Sequence, residues 1–379
     1  MKLYKKAILP KGFKANGVAC GIKKSGKLDL ALFYSDIPAK AACLFTSNKI
    51  QAAPIQVNQR YLKDNKSYRA IIVNSGNANC FTGQRGLEDA EEITRVLAKV
   101  IDIKKKNILI ASTGIIGRRL PLPKIKSAIP ELVGGLSAKG IDKAKVAIKT
   151  TDTFTKEFSV KFNNIGKRAV TICGVAKGAG MIAPHMATML CFILTDAHIT
   201  QEALVKALKV AVDNSFNCIT VDGCMSTNDT VILLANGSSN NSLIDKNKNF
   251  NLFCQALSRV CLELAKLIIR DAEGASKFIQ IKVNKAKSFA EARQVALYIA
   301  NSNLFKTAVY GENPNFGRIV AAIGASGIDV KEKDIKISVS PLHKKNIKVN
   351  ASVNKGKSCA TVYTSDLTPE YVKINARYS

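Results

Sequence analysis

Runs of unbroken apolar sequence alternate along this chain with segments patterned at helical spacing. That alternation restricts it to an α/β fold. "YRAIIV" (residues 68–73) reads as a buried strand and runs into the polar glycine turn "NSGNAN". "LEDAEEITRVLAKVI" follows, with Leu87, Ala90, Ile93, Val96, Leu97 and Val100 at helical spacing. Acidic residues fill its first turns, where the helix dipole favours them. Residues 108–111 of "NILIASTGIIG" form the next strand, ending at Ser112-Thr113-Gly114, and Pro121 and Pro123 open another helix. Farther on, "RAVTIC" and "MLCFILT" read as short strands flanking the loop "GVAKGAGMIAPHMA". "TQEALVKALKVAVDNS" reads as a helix, with Thr200 as its expected N-cap. "LFCQALSRVCLELAKLIIRDAEG" is a longer helix, "KFIQIKV" a strand, "SFAEARQVALYIANS" a helix, and "DIKISVS", "NIKVNAS" and "SCATVYT" are terminal strands. The polar stretch "GSSNNSLIDKNKNFN" (residues 237–251) reads as a surface loop. The architecture expected is mixed sheets covered by helices, with no internal repeat.

With 379 residues the chain can bury a large core, in one big domain or two ordinary ones. No apolar run reaches the roughly 18 residues of a membrane span. The start "MKLYKKAILPKGFKANG" lacks the apolar stretch of a signal peptide. No membrane association is expected, and the cytoplasm is the expected compartment. Ten cysteines are scattered from Cys20 to Cys359 without a C-x-x-C, most in apolar contexts, so buried free thiols are expected. His185, His198 and His343 form no metal spacing with them, and no zinc or other metal is expected. The net charge of +29 comes from lysines spread end to end, without Trp or any recognition-helix or RNP-like pattern. Solvated basic faces, or a positive field that attracts anionic substrates, fit this better than nucleic-acid binding.

Thr188 is the residue that calls for chemistry. It stands between the small-residue approach "GAGMIAPHMA" and the apolar run "MLCFIL". No G-x-S-x-G elbow, P-loop or H-E-x-x-H motif is present, and Gly174, Gly178 and Gly180 lack the dinucleotide spacing. A hydroxyl nucleophile with an unusual base is then a live option. Threonine becomes nucleophilic when a base removes its proton, and an N-terminal threonine carries that base in its own α-amine. Such an amine has a pKa near 7.7–8.0, so a useful fraction is neutral at cellular pH. Thr188 is internal, so the Ala187–Thr188 bond would have to break first. Small Ala187, with Gly178, Gly180 and Pro184 upstream, permits the strained backbone this needs.

The segment "AKGAGMIAPHMATMLCFILTDA" resembles the cleavage segment of the ornithine acetyltransferase family (ArgJ type, glutamate N-acetyltransferase). The pattern K-G-x-G-M-x-x-P-x-x-A-T-M-L falls on Lys177, Gly178, Gly180, Met181, Pro184, Ala187, Thr188, Met189 and Leu190. "VNSGNANCFTGQRG", "ASTGIIGR", "TTDT", "ITVDGCMSTNDT", "RDAEGASKF", "KTAVYGENPNFGRI" and "YVKINARYS" are similar to family blocks in the same order, over nearly the whole chain.

The resemblance implies a DmpA/ArgJ-like α/β fold of the N-terminal-nucleophile kind. It implies a precursor that cuts itself into an α chain, residues 1–187, and a β chain, residues 188–379, which stay associated as a dimer or tetramer of αβ units. The implied reaction moves an acetyl group from N2-acetylornithine to glutamate through an acetyl-Thr188 ester, in arginine biosynthesis. No cofactor is implied, and acetyl-CoA is a candidate co-substrate. By position, Thr113 and Gly114 match the oxyanion hole. Thr150, Lys177, Thr188, Glu273 and Asn375 match substrate-binding residues, and Ser379 falls one residue short of the family's C-terminal Ser or Thr. Asn313, Phe316, Cys224 and Met225 depart from the family's common residues. Two other readings stand beside this one: an aminopeptidase or amidohydrolase of the same fold with water as acceptor, and a basic nucleic-acid-binding protein with Thr188 as plain core.

Overall fold

A computed structural model describes residues 1–165, 168–183, 189–245 and 248–377. They divide into two compact units. The first is drawn from Met1–Gly178, Thr188–Asn214 and Ser226–Leu264, the second from Ala179–Ala187, Ser215–Met225 and Ala265–Ser379.

The first unit is built on strands β1 (Lys2–Tyr4), β2 (Phe13–Val18), β3 (Leu30–Phe45), β4 (Tyr68–Asn77), β5 (Ile108–Ile115), β6 (Lys156–Ile165), β7 (Arg168–Lys177), β8 (Leu190–Thr195) and β9 (Thr230–Ala235). They form one sheet in the order β1-β6-β7-β8-β9-β3-β4-β5, with β2 also paired to β3. Helices α1 (Ala53–Asp64), α2 (Gly83–Val100), α3 (Leu122–Gly134), α4 (Ile141–Ala147), α5 (Gln201–Asp213) and the start of α6 (Lys248–Arg270) belong to the same unit. Successive strand residues point to opposite faces. Leu30, Leu32, Ala70 and Ile72 therefore join one core with Tyr61, Ile93, Leu97 and Ile129. Ala31, Phe33, Ile71 and Val73 join another with Ala144, Phe192, Leu194 and Ile232. Burial on both faces is why these strands read as continuous apolar runs. Fully burying each Leu, Ile, Val or Phe side chain among them contributes about 1.5–3 kcal/mol.

The second unit has strands β10 (Phe278–Ala286), β11 (Lys336–Val339), β12 (Asn346–Ser352) and β13 (Ser358–Ser365) in the order β11-β12-β10-β13. Helices α7 (Phe289–Asn301), α8 (Asn303–Tyr310), α9 (Gly317–Ala325) and α10 (Pro369–Ala376) accompany it. On one face of this sheet Ile279, Ile281 and Val283 pack with Val295, Ile299, Ile347, Val349 and Val362. Its strands alternate accordingly, and β12 is exposed at every second residue.

The α/β class with helices on mixed sheets is as expected, and Thr200 caps α5 by accepting from Ala203 N. Three expectations change. First, β5 and β7 each run four residues farther, to Ile115 and Lys177, and so carry candidate site residues into the sheet. Second, residues 237–251 are more than a surface loop: Ile244 is fully buried, Asn241 Oδ1 accepts from His198 N at 2.8 Å, and α6 begins at Lys248. One isoleucine among polar residues is enough to tie the stretch down. Third, the cysteines are free, but Cys224 and Cys359 are exposed. Among the described residues no helix is long and apolar enough to cross a membrane.

Candidate active site

Thr113 and Gly114 lie where β5 meets the irregular end of β4, and their setting follows from glycine geometry. The register slips at Gly76 and Asn77, so that Thr113 pairs with both Ser75 and Asn77. Gly114 has φ +135°, and a Cβ there would stand 2.3 Å from Gly76 C and 2.5 Å from Asn77 N. Only glycine permits that approach. Asn228 Nδ2 braces the strand end by donating to Ser112 O at 2.7 Å and Ala78 O at 2.6 Å. Thr113 is buried and Gly114 half-buried.

Lys177, at the end of β7, is 3% exposed, so it is not one more solvated lysine. Its Nζ donates to Thr113 Oγ1 at 3.4 Å, at the long end for a hydrogen bond. A hydroxyl whose lone pair takes a cationic N–H is left to direct its own proton elsewhere. Thr113 is thereby prepared as a donor.

Asp152 is the hub beside them. Its Oδ1 accepts from Lys156 Nζ at 2.5 Å and from Gly178 N at 2.7 Å, and its Oδ2 accepts from Thr150 N at 3.0 Å. Burial pushes this carboxyl up, but the Lys177 and Lys156 charges and the Gly178 N–H outweigh burial and hold it below the ordinary carboxylate range. Lys23 adds a further cation. Burial lowers its pKa to about 8, against the pull of Asp29 and Asp152 and with the repulsion of Lys177 and Lys149. Asp229, on the residue before β9, accepts from Met189 N at 2.9 Å. Burial pushes its carboxyl well up, against that N–H and the Lys177 charge. The first unit thus brings together Thr113, Gly114, Thr150 and Lys177. Sequence reasoning missed Asp152, Lys156, Lys23 and Asp229. Asp152 lies inside "TTDT" and Asp229 inside "ITVDGCMSTNDT", so the motifs pointed at their neighbourhood without pointing at them.

The second unit holds Glu273 and Asn375. Glu273 follows the end of α6, and its N–H donates to Ala179 O at 3.0 Å. Asn375 on α10 donates from Nδ2 to Glu273 Oε2 at 3.0 Å and to Tyr371 O at 3.0 Å. A Cβ on Gly180 would stand 2.2 Å from Glu273 Oε2, so the carboxylate rests against bare backbone. Asp222 accepts from Met181 N at 2.7 Å and Ile182 N at 3.0 Å, and from Tyr371 Oη at 3.1 Å. The backbone of Met181 and Ile182 is thereby held. Ala187, Thr188, His185 and Ser379 lie outside the described residues. Among the described residues no cluster of three His, Cys, Asp or Glu could hold a metal ion.

Buried hydroxyl and cation at a glycine-made strand end suit an enzyme that stabilises a developing oxyanion during acyl transfer. The ArgJ family model matches residues 14–379. The arginine biosynthesis bifunctional protein ArgJ of Geobacter sulfurreducens is 44% identical over 97% of this chain and 99% of its own length. That of Dehalococcoides mccartyi is 46% identical over 98% and 96%. Among solved structures, the ornithine acetyltransferase of Mycobacterium tuberculosis complexed with ornithine is 36% identical, covers 48% of this chain and 97% of its own, and has a TM-score of 0.45. The chain belongs to the ArgJ family. It is accordingly a transferase of arginine biosynthesis, a glutamate N-acetyltransferase acting on small molecules.

Proposed function

We propose that Thr188 is both the agent of self-cleavage and the acyl carrier of the mature enzyme. The Thr188 hydroxyl adds to the Ala187 carbonyl, the C–N bond breaks, and the nitrogen takes the hydroxyl proton. Water then hydrolyses the resulting ester, leaving an Ala187 carboxylate and a free N-terminal threonine. In the first half-reaction the new α-amine takes the Thr188 Oγ proton as Oγ attacks the acetyl carbonyl of N2-acetylornithine. Thr113 Oγ1 and the Gly114 N–H stabilise the oxyanion. The amide C–N bond breaks, the leaving nitrogen is protonated, and ornithine departs. In the second half-reaction the amine of glutamate attacks the acetyl ester, and N-acetylglutamate leaves with the hydroxyl restored. Lys177 pairs with the substrate carboxylate, Thr150 lines that side, and Glu273 with Asn375 takes the ammonium. Ser379 belongs to the same group by position. No cofactor enters, and acetyl-CoA serves as a second acetyl donor.

What carries this reading is the ArgJ match over 14–379, which includes every one of these positions. Support for the two chains staying together comes from the sheet. β7 pairs antiparallel with β8 from Ile172↔Thr195 to Lys177↔Leu190, and β3 pairs with β9, so the two strands of this sheet that follow the 187/188 bond lie between strands that precede it. The αβ unit, assembled as a dimer or tetramer in the cytoplasm, would need no tether. A denaturing gel tests the proposal. Mature protein should run as two bands near half of 40.9 kDa, and Thr188→Ala as a single inactive chain. A Thr188→Ala protein that still splits, or still transfers acetyl groups, overturns it.

A further inference from the structure

Glutamate and N2-acetylornithine share a carboxylate end and differ at the other. The ornithine side chain ends in an ammonium, the glutamate side chain in a carboxylate. Lys177 for the shared carboxylate and Glu273 with Asn375 for the ammonium leave the second carboxylate of glutamate unanswered, and an acid such as Glu273 repels it. The first unit holds a cation that fits this need.

Residues 19–29 join β2 to β3 and wrap around one fully buried carboxylate, that of Asp29. Its Oδ1 accepts from Cys20 N at 2.7 Å, and its Oδ2 accepts from Ile22 N at 2.7 Å and Lys23 N at 2.9 Å. The Asp29 carbonyl accepts from Ser75 N at 2.9 Å, which ties the loop to the end of β4. Lys23 is thereby laid over the strand end that carries the candidate oxyanion hole. A Cβ on Gly76 would stand 3.3 Å from Lys23 Cγ, and one on Gly114 would stand 2.3 Å from Gly76 C. Gly76 thus lies against both Lys23 and Gly114.

Of the three lysines in this loop, Lys24 and Lys27 are exposed and Lys23 is half-buried. Its Nζ donates to Leu28 O at 2.8 Å, and among the described residues no carboxylate is in ion-pair contact with it. Neither nearby aspartate is spare: the Asp29 oxygens go to backbone N–H groups, and Asp152 is held by Lys156 at 2.5 Å. Burial, and then the like charges of Lys177 and Lys149, work against the Lys23 ammonium and lower its pKa to about 8, against the pull of Asp29 and Asp152. Lysines that repel each other beside an acyl-transfer site are relieved by a ligand that brings two carboxylates.

We propose that Lys23 is a specificity-determining residue of the acceptor half-reaction: its ammonium takes the side-chain carboxylate of glutamate while Lys177 takes the α-carboxylate. The donor does not call on it, because N2-acetylornithine has a single carboxylate. This inference rests on the reading of Lys177 as the residue that pairs with the shared carboxylate.

Lys23→Met in the full chain tests it, since methionine keeps an unbranched stem over Gly76 and carries no charge. Ping-pong kinetics give each substrate its own kcat/KM. That for glutamate should fall at least about tenfold, mainly through KM, while that for N2-acetylornithine stays within about twofold. Free glutamine, which has the same length and a neutral end, gives a second readout. The unaltered enzyme should prefer glutamate, Lys23→Met should narrow that preference at least about tenfold, and Lys23→Arg should keep most of it. A fall shared equally by donor and acceptor, or an unchanged value for glutamate, overturns the proposal. Should Lys23→Met not fold, the unaltered enzyme decides. Asp29, Asp152, Lys149 and Lys177 are the charged groups that bear on Lys23, and Lys177 meets both acceptors alike. The ratio of kcat/KM for glutamate over free glutamine therefore follows the Lys23 ammonium. With a pKa of about 8, that ratio should fall about tenfold from pH 7 to pH 9. A ratio that holds across this range overturns the proposal. Failure of the Lys177 reading looks different, since Lys177→Met would then leave both half-reactions unchanged.

Discussion

Asp152 joins three segments through its two oxygens: Lys156 at 2.5 Å, the Gly178 N–H at 2.7 Å and the Thr150 N–H at 3.0 Å. Both members of the Lys156 pair have fully buried side chains. Breaking such a pair from one side leaves a buried charge uncompensated, at a cost of about 3–5 kcal/mol. Asp152→Asn should therefore lose about that much at pH 7. The urea midpoint measures it best in the uncut Thr188→Ala background, where both proteins are one chain. The pH dependence has a defined sign. The folded carboxyl titrates below its unfolded value, so the fold binds fewer protons. Its stabilisation is complete above about pH 4 and drains away as pH falls through the depressed folded pKa. The gap between the two proteins should thus narrow in acid. An equal gap at pH 7 and pH 3 would mean that Asp152 supplies shape and not charge. Lys306 shows the opposite case among cations. It is 3% exposed, and burial lowers its pKa to about 8 despite Asp222 and Asp366. A lowered lysine is neutral in the fold while still protonated in the unfolded chain, so stability rises with pH between about 8 and 10.4. Lys306→Met should flatten that rise, by roughly 3 kcal/mol, in urea melts at pH 7.5 and 10.

At the level of strands and helices, two glycines separate fold from function. Gly114 holds φ +135° with backbone atoms of Gly76 and Asn77 where a Cβ would go. Those atoms cannot swing aside, so Gly114→Ala should destabilise by on the order of 3 kcal/mol and abolish transfer, as a thermal melt and an assay would show. At Gly180 the obstacle is the far end of the Glu273 side chain, which can move. Gly180→Ala should fold almost normally but push Glu273 from its place against Asn375, raising the KM for N2-acetylornithine about tenfold with a smaller change in kcat. An unchanged KM would remove Glu273 from substrate binding. The elements themselves were legible because hydrophobic spacing and caps are local signals: β4, α2, α5 and the terminal strands came from them. The ends of β5 and β7 were not. Ser112 and Thr113 look like a turn until Asn228, far along the chain, satisfies the Ser112 carbonyl. Lys177 looked solvated on composition alone, because Asp152 and Thr113 meet it only through the sheet. The candidate site came from ordered motifs, and its buried charges came from the structure.

Charge belongs to the whole molecule. Lysine and arginine total 57 against 28 aspartates and glutamates, and the excess is distributed along the entire sequence. Such a field acts on approach, before any contact forms. The two proposed substrates feel it differently. N2-acetylornithine carries one carboxylate and one side-chain ammonium, so its net charge is zero. Glutamate carries two carboxylates and one ammonium, so its net charge is minus one. Salt shortens the reach of the field from about 30 Å at 0.01 M to about 3 Å at 1 M. Raising salt should therefore lower kcat/KM for glutamate severalfold and leave that for N2-acetylornithine nearly flat. Ping-pong kinetics make the comparison clean, because each kcat/KM belongs to its own half-reaction. An equal fall in both would mean that salt perturbs the protein instead of the encounter. A flat response in both would mean that the lysines serve solubility and have no part in drawing the acceptor to an acetylated Thr188.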